Sequence, residues 1–248
     1  TAGAGPGDPY VAPPPARPFL QEVGAPPGCL RIAWTAAAPN GATVEAEPLR
    51  VLRETARLCA DLGHQVEEAN PVIDGAAVVP TFLTLAAANT VVNLNSHPTA
   101  GRPAGPGEVE KVTYATGQKG ERLTAADYVR ASQTAHRLGR QMAAFHADWD
   151  VLLTPGLAMM PPKLGWIDMM LDDVDEYWRR VFTFSPFTVW FNLTGQPAMV
   201  LPLGTSPEGL PVAVQCVARY GDEATIFRLA AQLEAARPWN GRRPSLAT

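Results

Sequence analysis

The sequence predicts a single unit of the α/β or α+β class, and three groups of residues carry that expectation. Leu30-Arg-Ile-Ala-Trp34 and His64-Gln-Val-Glu-Glu68 read as short strands on either side of a helix, a strand–helix–strand unit. Asp150-Val-Leu-Leu-Thr-Pro155 is a short apolar run closed by proline, as a buried strand is. Ala198 to Leu203 and Pro211 to Ala218 read as strands joined by a polar turn, Ser206-Pro-Glu-Gly209, and are expected to be antiparallel. No linker divides the chain and no repeat is visible, so residues 1–248 are read as one domain.

The elements follow in chain order. Prolines punctuate residues 1–28; each fixes φ and removes a donor, which predicts an extended surface connection. Glu45 to Leu62 reads as a helix with the stripe Leu49, Leu52, Ala56, Cys59 and Leu62, Pro48 in its first turn and Gly63 at C′. Ala76 to Asn95 is a mostly apolar helix, expected to be buried on most sides. Residues 97–120 are rich in Pro, Gly and charge and read as a surface excursion. Thr124-Ala-Ala-Asp127 resembles a capping box and opens a helix to about Asp148, with Tyr128, Ala131, Ala135, Leu138, Met142 and Phe145 inward. Residues 156–170 read as an irregular loop, 172–182 as a helix and 186–192 as a short helix. Asp222 caps the last helix, whose inward face is Ile226, Leu229, Ala230 and Leu233, and the basic tail after Pro238 is expected to fray.

Composition narrows the function. At 248 residues with 46% hydrophobic content the chain can bury a full core. A net charge of −4 without a basic run argues against nucleic acid, and no apolar stretch reads as long enough for the ~18–20 residues of a spanning helix, so no membrane partner is expected. Small molecules and protein surfaces remain. Cys29, Cys59 and Cys216 are far apart and odd in number, which predicts reduced thiols and a cytoplasmic protein. The chain opens at Thr1 inside a Gly/Pro-rich stretch, which suggests a cut from something longer.

Chemistry is harder to find. A serine nucleophile needs a base and oxyanion donors, yet none of Ser96, Ser132, Ser185, Ser206 and Ser245 sits in a nucleophile elbow. Ser185 reads as an N-cap, and Lys111, Lys119 and Lys163 lie in polar loop contexts, so no Ser–Lys pair is expected. The spacing of His64, His97, His136 and His146 does not suit a metal; no metal and no cofactor are expected, and surface or capping histidines are the default. The acids Asp168, Asp172, Asp173, Asp175 and Glu176 suit a helix start better than acid–base work. Phe182, Phe184, Phe187, Trp190 and Phe191 read as core, with a pocket wall as the alternative. Asn192, inside an apolar run, must find hydrogen-bond partners and is expected to tie its helix to the next strand.

The run Asn192-Leu-Thr-Gly-Gln-Pro-Ala198, followed by Gly209-Leu-Pro-Val-Ala-Val-Gln215, resembles the C-terminal half of amidase signature enzymes. Gly7-Asp-Pro-Tyr-Val-Ala-Pro-Pro-Pro-Ala-Arg-Pro-Phe19, the strand at 30–34 and Asp150–Pro155 match that family in the same order. The resemblance implies the C-terminal half of an α/β fold whose mixed sheet is flanked by helices, with the Pro-rich connection at 1–28. It implies an amidase acting through a Ser–Ser–Lys triad that lies upstream, so no residue here is assigned a catalytic role. It also implies one wall of a substrate funnel, for which Asn89, Phe187 and Trp190 are the candidates. The partners implied are a small-molecule amide and the missing N-terminal half, with a homodimer possible, and this chain alone is expected to be inactive. A non-catalytic interaction or scaffold protein is the alternative. A severed half should expose an apolar face; a self-sufficient module should not.

Overall fold

The segments read as strands meet in one mixed sheet. A computed structural model describes residues 3–96 and 102–242. The strands are β1 (Arg31–Trp34), β2 (Gln65–Glu68), β3 (Val151–Pro155), β4 (Ala198–Thr205) and β5 (Pro211–Ala218), in the order β2-β1-β3-β5-β4. β1 runs parallel to β2 and β3, while β5 is antiparallel to β3 and β4. Two parallel neighbours need a crossover, which α1 (Ala46–Asp61) supplies between β1 and β2.

Alternation gives the sheet two apolar faces. Ile32, Val151, Leu153, Leu201, Leu203, Val214 and Cys216 turn to the side covered by α1 and α7 (Glu223–Ala236). Each fully buried aliphatic side chain there contributes about 1.5–3 kcal/mol. Gly204 is needed at this contact, because a Cβ on it would lie 2.3 Å from Val51 Cγ2. On the other side, Ala33, Leu152 and Val217 pack with residues of α2 (Val78–Asn95), α4 (Ala125–Asp148), α5 (Val174–Phe184) and α6 (Thr188–Thr194).

Several elements depart from expectation. Residues 111–120 are not a surface excursion: Lys111–Gly120 forms α3, packed on α2. Residues 97–101 of that reading, His97 among them, lie outside the described residues, as does Ser245. α2 is not buried on most sides; only Val78, Thr81 and Ala87 are enclosed. Moreover, Gly75–Asn95 is 21 residues long and apolar enough, by length and composition, to qualify as a spanning segment. Its threonines and asparagines interrupt the apolar run without making it polar on average. Tyr128 points outward at 47% exposure, whereas His64 and His146 are buried rather than superficial. Ser185 caps the C-terminus of α5, and its hydroxyl meets Thr188 Oγ1 at 2.7 Å; Phe187, with no side-chain bond, is the N-cap of α6. The segment after Pro238 is tied down as far as it is described, with Trp239 against the core and Arg242 Nη1 donating to Thr205 Oγ1 at 3.0 Å.

Candidate functional site

The side of the sheet facing α6 holds the residues singled out by sequence. α6 ends at Gly195, whose φ of +78° suits glycine and turns the chain into β4. A larger residue would also approach the Tyr220 ring, 3.4 Å from a Cβ at this position. Gln196 follows, buried, with its Oε1 unpartnered. Beyond it the sheet presents two rows: Ala33, Leu152, Val217 and Ala198, then Thr154, Gln215 and Val200. Gln215 Nε2 donates to Thr154 Oγ1 at 3.0 Å, and both side chains are buried. The rows lose their cover at β4, where Ala198 is exposed and Val200 is 50% exposed.

The three funnel candidates are not equivalent. Asn89 is exposed on α2, its Nδ2 donating to Leu85 C=O at 2.9 Å. Phe187 and Trp190 are enclosed, and Trp190 stacks on Phe191 with centroids 5.0 Å apart. Trp190 Nε1 is buried without an acceptor. Asn192 does not tie α6 to β4: it is exposed and its side chain makes no hydrogen bond among the described residues. It occupies the outer side of a short helix whose buried side is Val189, Trp190 and Phe191, which proximity in sequence to apolar residues did not reveal.

No nucleophile–base pair is assembled among the described residues. Ser132 Oγ donates to Tyr128 C=O at 3.0 Å, and Ser206 Oγ accepts from Leu210 N–H at 3.3 Å. Lys111 and Lys119 stand on α3 rather than in loops and pair with Asp172 and Asp175. The Cys59 thiol is pushed up to about 12 by burial, and Cys216 is raised by the same cause, so neither is a thiolate at neutral pH. His146 is held below its ordinary value, chiefly by burial; its Nδ1–H donates to Trp149 C=O at 3.0 Å and its Nε2 is unpartnered. His64 Nδ1 accepts from Leu30 N–H at 3.1 Å, so the Nε2 side donates to Gln232 Oε1 at 2.8 Å. That geometry is structural. No group of three metal-binding side chains occurs among the described residues. Asp173 accepts from the N–H groups of Asp175 and Glu176, which places this acidic run at a helix start.

The mixed sheet with helices on both faces, closed by the Gly195 turn and the β4–β5 hairpin, makes this an α/β protein. The chain belongs to the amidase family, which matches residues 1–227. It is 32% identical over 256 aligned residues to a 6-aminohexanoate-cyclic-dimer hydrolase of Pseudomonas sp. strain NK87, covering 99% of this chain and 52% of that protein. A solved 6-aminohexanoate cyclic dimer hydrolase superimposes with a TM-score of 0.87 at 30% identity, over 98% of this chain and 52% of that one. A bacterial aryl acylamidase of the amidase signature family shares the fold at 16% identity, with a TM-score of 0.74 over 94% of this chain and 50% of that one. The chain thus spans about half the length of the relatives it matches.

Proposed function

We propose that this chain is the C-terminal part of an amide hydrolase, supplying sheet core and one wall of the substrate funnel while a Ser–Ser–Lys triad is carried by the other part. The observation behind this reading is the full-length match to amide hydrolases at half their size, with no nucleophile–base pair among the described residues. The complete enzyme acylates its serine, releases ammonia or an amine, and hydrolyses the acyl-enzyme with water. Its substrate is a small amide. Asn89, exposed on α2, is the candidate for contact with substrate, and the enclosed Phe187 and Trp190 are the candidates for the packing behind that wall. The uncovered apolar surfaces of α2 and β4 support a part rather than a self-sufficient module. Three free cysteines support a reducing, cytoplasmic setting.

The test compares two proteins on the cyclic 6-aminohexanoate dimer and on a simple aryl amide. One is the 248-residue chain; the other joins it to the unmatched part of the hydrolase relative, in place of that relative's matched part. The chain alone should release no product, and the completed protein should hydrolyse amide and take up a serine-directed fluorophosphonate. Hydrolysis by the chain alone, or a folded completed protein inert toward both amides and the label, overturns the reading.

A further inference from the structure

The groove between α1 and β2 gathers charges that the fold itself leaves unused. β2 is the outermost strand on its side of the sheet, and its Val66 and Glu68 stand opposite Ile32 and Trp34 of β1. Ile32 turns toward α1, so by alternation Trp34, Val66 and Glu68 share that face. On α1, Arg53, Ala56, Arg57 and Ala60 recur at helical spacing and form the facing wall. The two alanines are too short to fill the gap, which stays open as a groove of about 360 Å³. That volume is within the ~300–1,000 Å³ of small-molecule sites. Half-buried Trp34 and Val66, which pack on the core, and buried Ala56 give it an apolar floor.

Many arginines of this chain are committed to carboxylates. Arg17 and Arg228 hold Glu22, Arg31 and Arg219 hold Asp150, and Arg137 holds Asp74. On α1 itself Arg50 takes both Glu47 and Glu54. Among the described residues the side chains of Arg53 and Arg57 make no hydrogen bond or ion pair, not even with Asp61 one turn on, and neither does the Glu68 carboxylate. Arg53 and Arg57 are four residues apart, so their Cβ atoms are about 5–6 Å from each other and both guanidinium groups can converge on one carboxylate. Glu68 stands across the groove on β2, out of ion-pair contact with either. Opposite charges are therefore held apart over an apolar floor.

We propose that this groove binds an ω-amino acid, with its carboxylate on Arg53 and Arg57, its ammonium on Glu68 and its methylene chain along Trp34, Ala56 and Val66. The three unmatched charges select the class. A phosphate or sulfate would satisfy the arginines but meet Glu68 as a like charge. A plain carboxylate would leave Glu68 unanswered, and an α-amino acid carries its two charges too close together to reach both walls. A methylene spacer separates them and is itself removed from water on the floor. The site does not depend on the hydrolase reading, since every residue that forms it belongs to this chain.

Titration of the isotope-labelled 248-residue chain with 6-aminohexanoate, followed by NMR, tests this. The Trp34 indole N–H and the Nε–H signals of Arg53 and Arg57 should shift together and saturate with one Kd of about 10 mM or lower. Hexanoate and hexylamine, each lacking one charge, and glycine, lacking the spacer, should bind at least about ten-fold more weakly. Arg53→Gln and Arg57→Gln should each weaken 6-aminohexanoate by about ten-fold, and Glu68→Gln should weaken it similarly without weakening hexanoate. Absence of saturable shifts at these three residues overturns the proposal. So does hexanoate or inorganic phosphate binding as tightly as 6-aminohexanoate, because the groove would then be a simple anion site. The ligand series needs no variant, so a substitution that fails to fold leaves the test intact. The completed protein described above should keep the same order of preference. Loss of the Trp34 shift there overturns the proposal, because the groove would then belong to the joint between the two parts.

Discussion

Glu22 is 1% exposed and receives Arg17 Nε and Nη2 at 2.8 and 2.7 Å and Arg228 Nε at 2.6 Å. It fastens the otherwise exposed N-terminal segment to α7, where Phe19 and Phe227 lie 5.5 Å apart by ring centroids. Hydrogen bonds from Arg17 and then Arg228 lower its carboxyl from 4.5 to about 2. A carboxyl depressed in the fold stabilises it above the unfolded value, and that contribution is lost as pH falls from about 4.5 toward 2. Urea midpoints measured across that window should fall in the native protein and fall less in Glu22→Gln, which should start from a lower midpoint at pH 7. His146 acts in a separate window. Burial lowers its value, so the unfolded chain takes up a proton first and stability declines as pH drops below about 6.5. The His146→Asn variant should flatten the decline between pH 7 and 5; an unchanged slope would mean another group titrates there.

At the scale of elements, α3 shows what a sequence hides. Glycine lowers helix propensity, so Gly117 and Gly120 argue locally against a helix. Packing decides otherwise: a Cβ on Gly120 would stand 2.2 Å from Ala87 C=O, and one on Gly117 would stand 2.3 Å from Leu94 Cδ1. The backbone of α2 cannot retreat as the tip of a leucine can. Gly120→Ala should therefore cost about 1–3 kcal/mol or more by chemical denaturation, and Gly117→Ala clearly less; equal losses would place the close approach elsewhere. Elements that announce their own ends were legible. Thr124 and Asp127 exchange both capping-box bonds, at 3.2 and 2.9 Å, and Asp222 accepts from Thr225 N–H at 3.3 Å. Thr124→Ala should lower stability by about 1 kcal/mol. What stayed hidden depends on partners distant in sequence. His64 is buried by Leu30 and Gln232, and nothing in its own neighbourhood says so. The core role of Phe187 and Trp190 was legible from apolar clustering, but the exposure of Asn192 was not, because a seven-residue helix leaves its periodicity undersampled.

For the whole molecule, the informative substitutions are those whose effect depends on how much of the fold is present. Val92 is 61% exposed on α2, a helix apolar all round that buries only three of its residues. A helix of that character in a soluble fold is normally covered on most sides. In the 248-residue chain, Val92→Glu removes little buried area and should change stability by no more than about 0.5 kcal/mol, while reducing binding of a hydrophobic dye. In the completed protein the same carboxylate would be buried if the remaining half lies over α2. Desolvation of an unpaired charge is then costly, and the melting temperature should drop by several degrees. A variant neutral in both contexts would show that α2 faces water in the completed protein. A loss already present in the 248-residue chain would mean that Val92 packs within this half, and the apolar helix would then be a core element of the part itself.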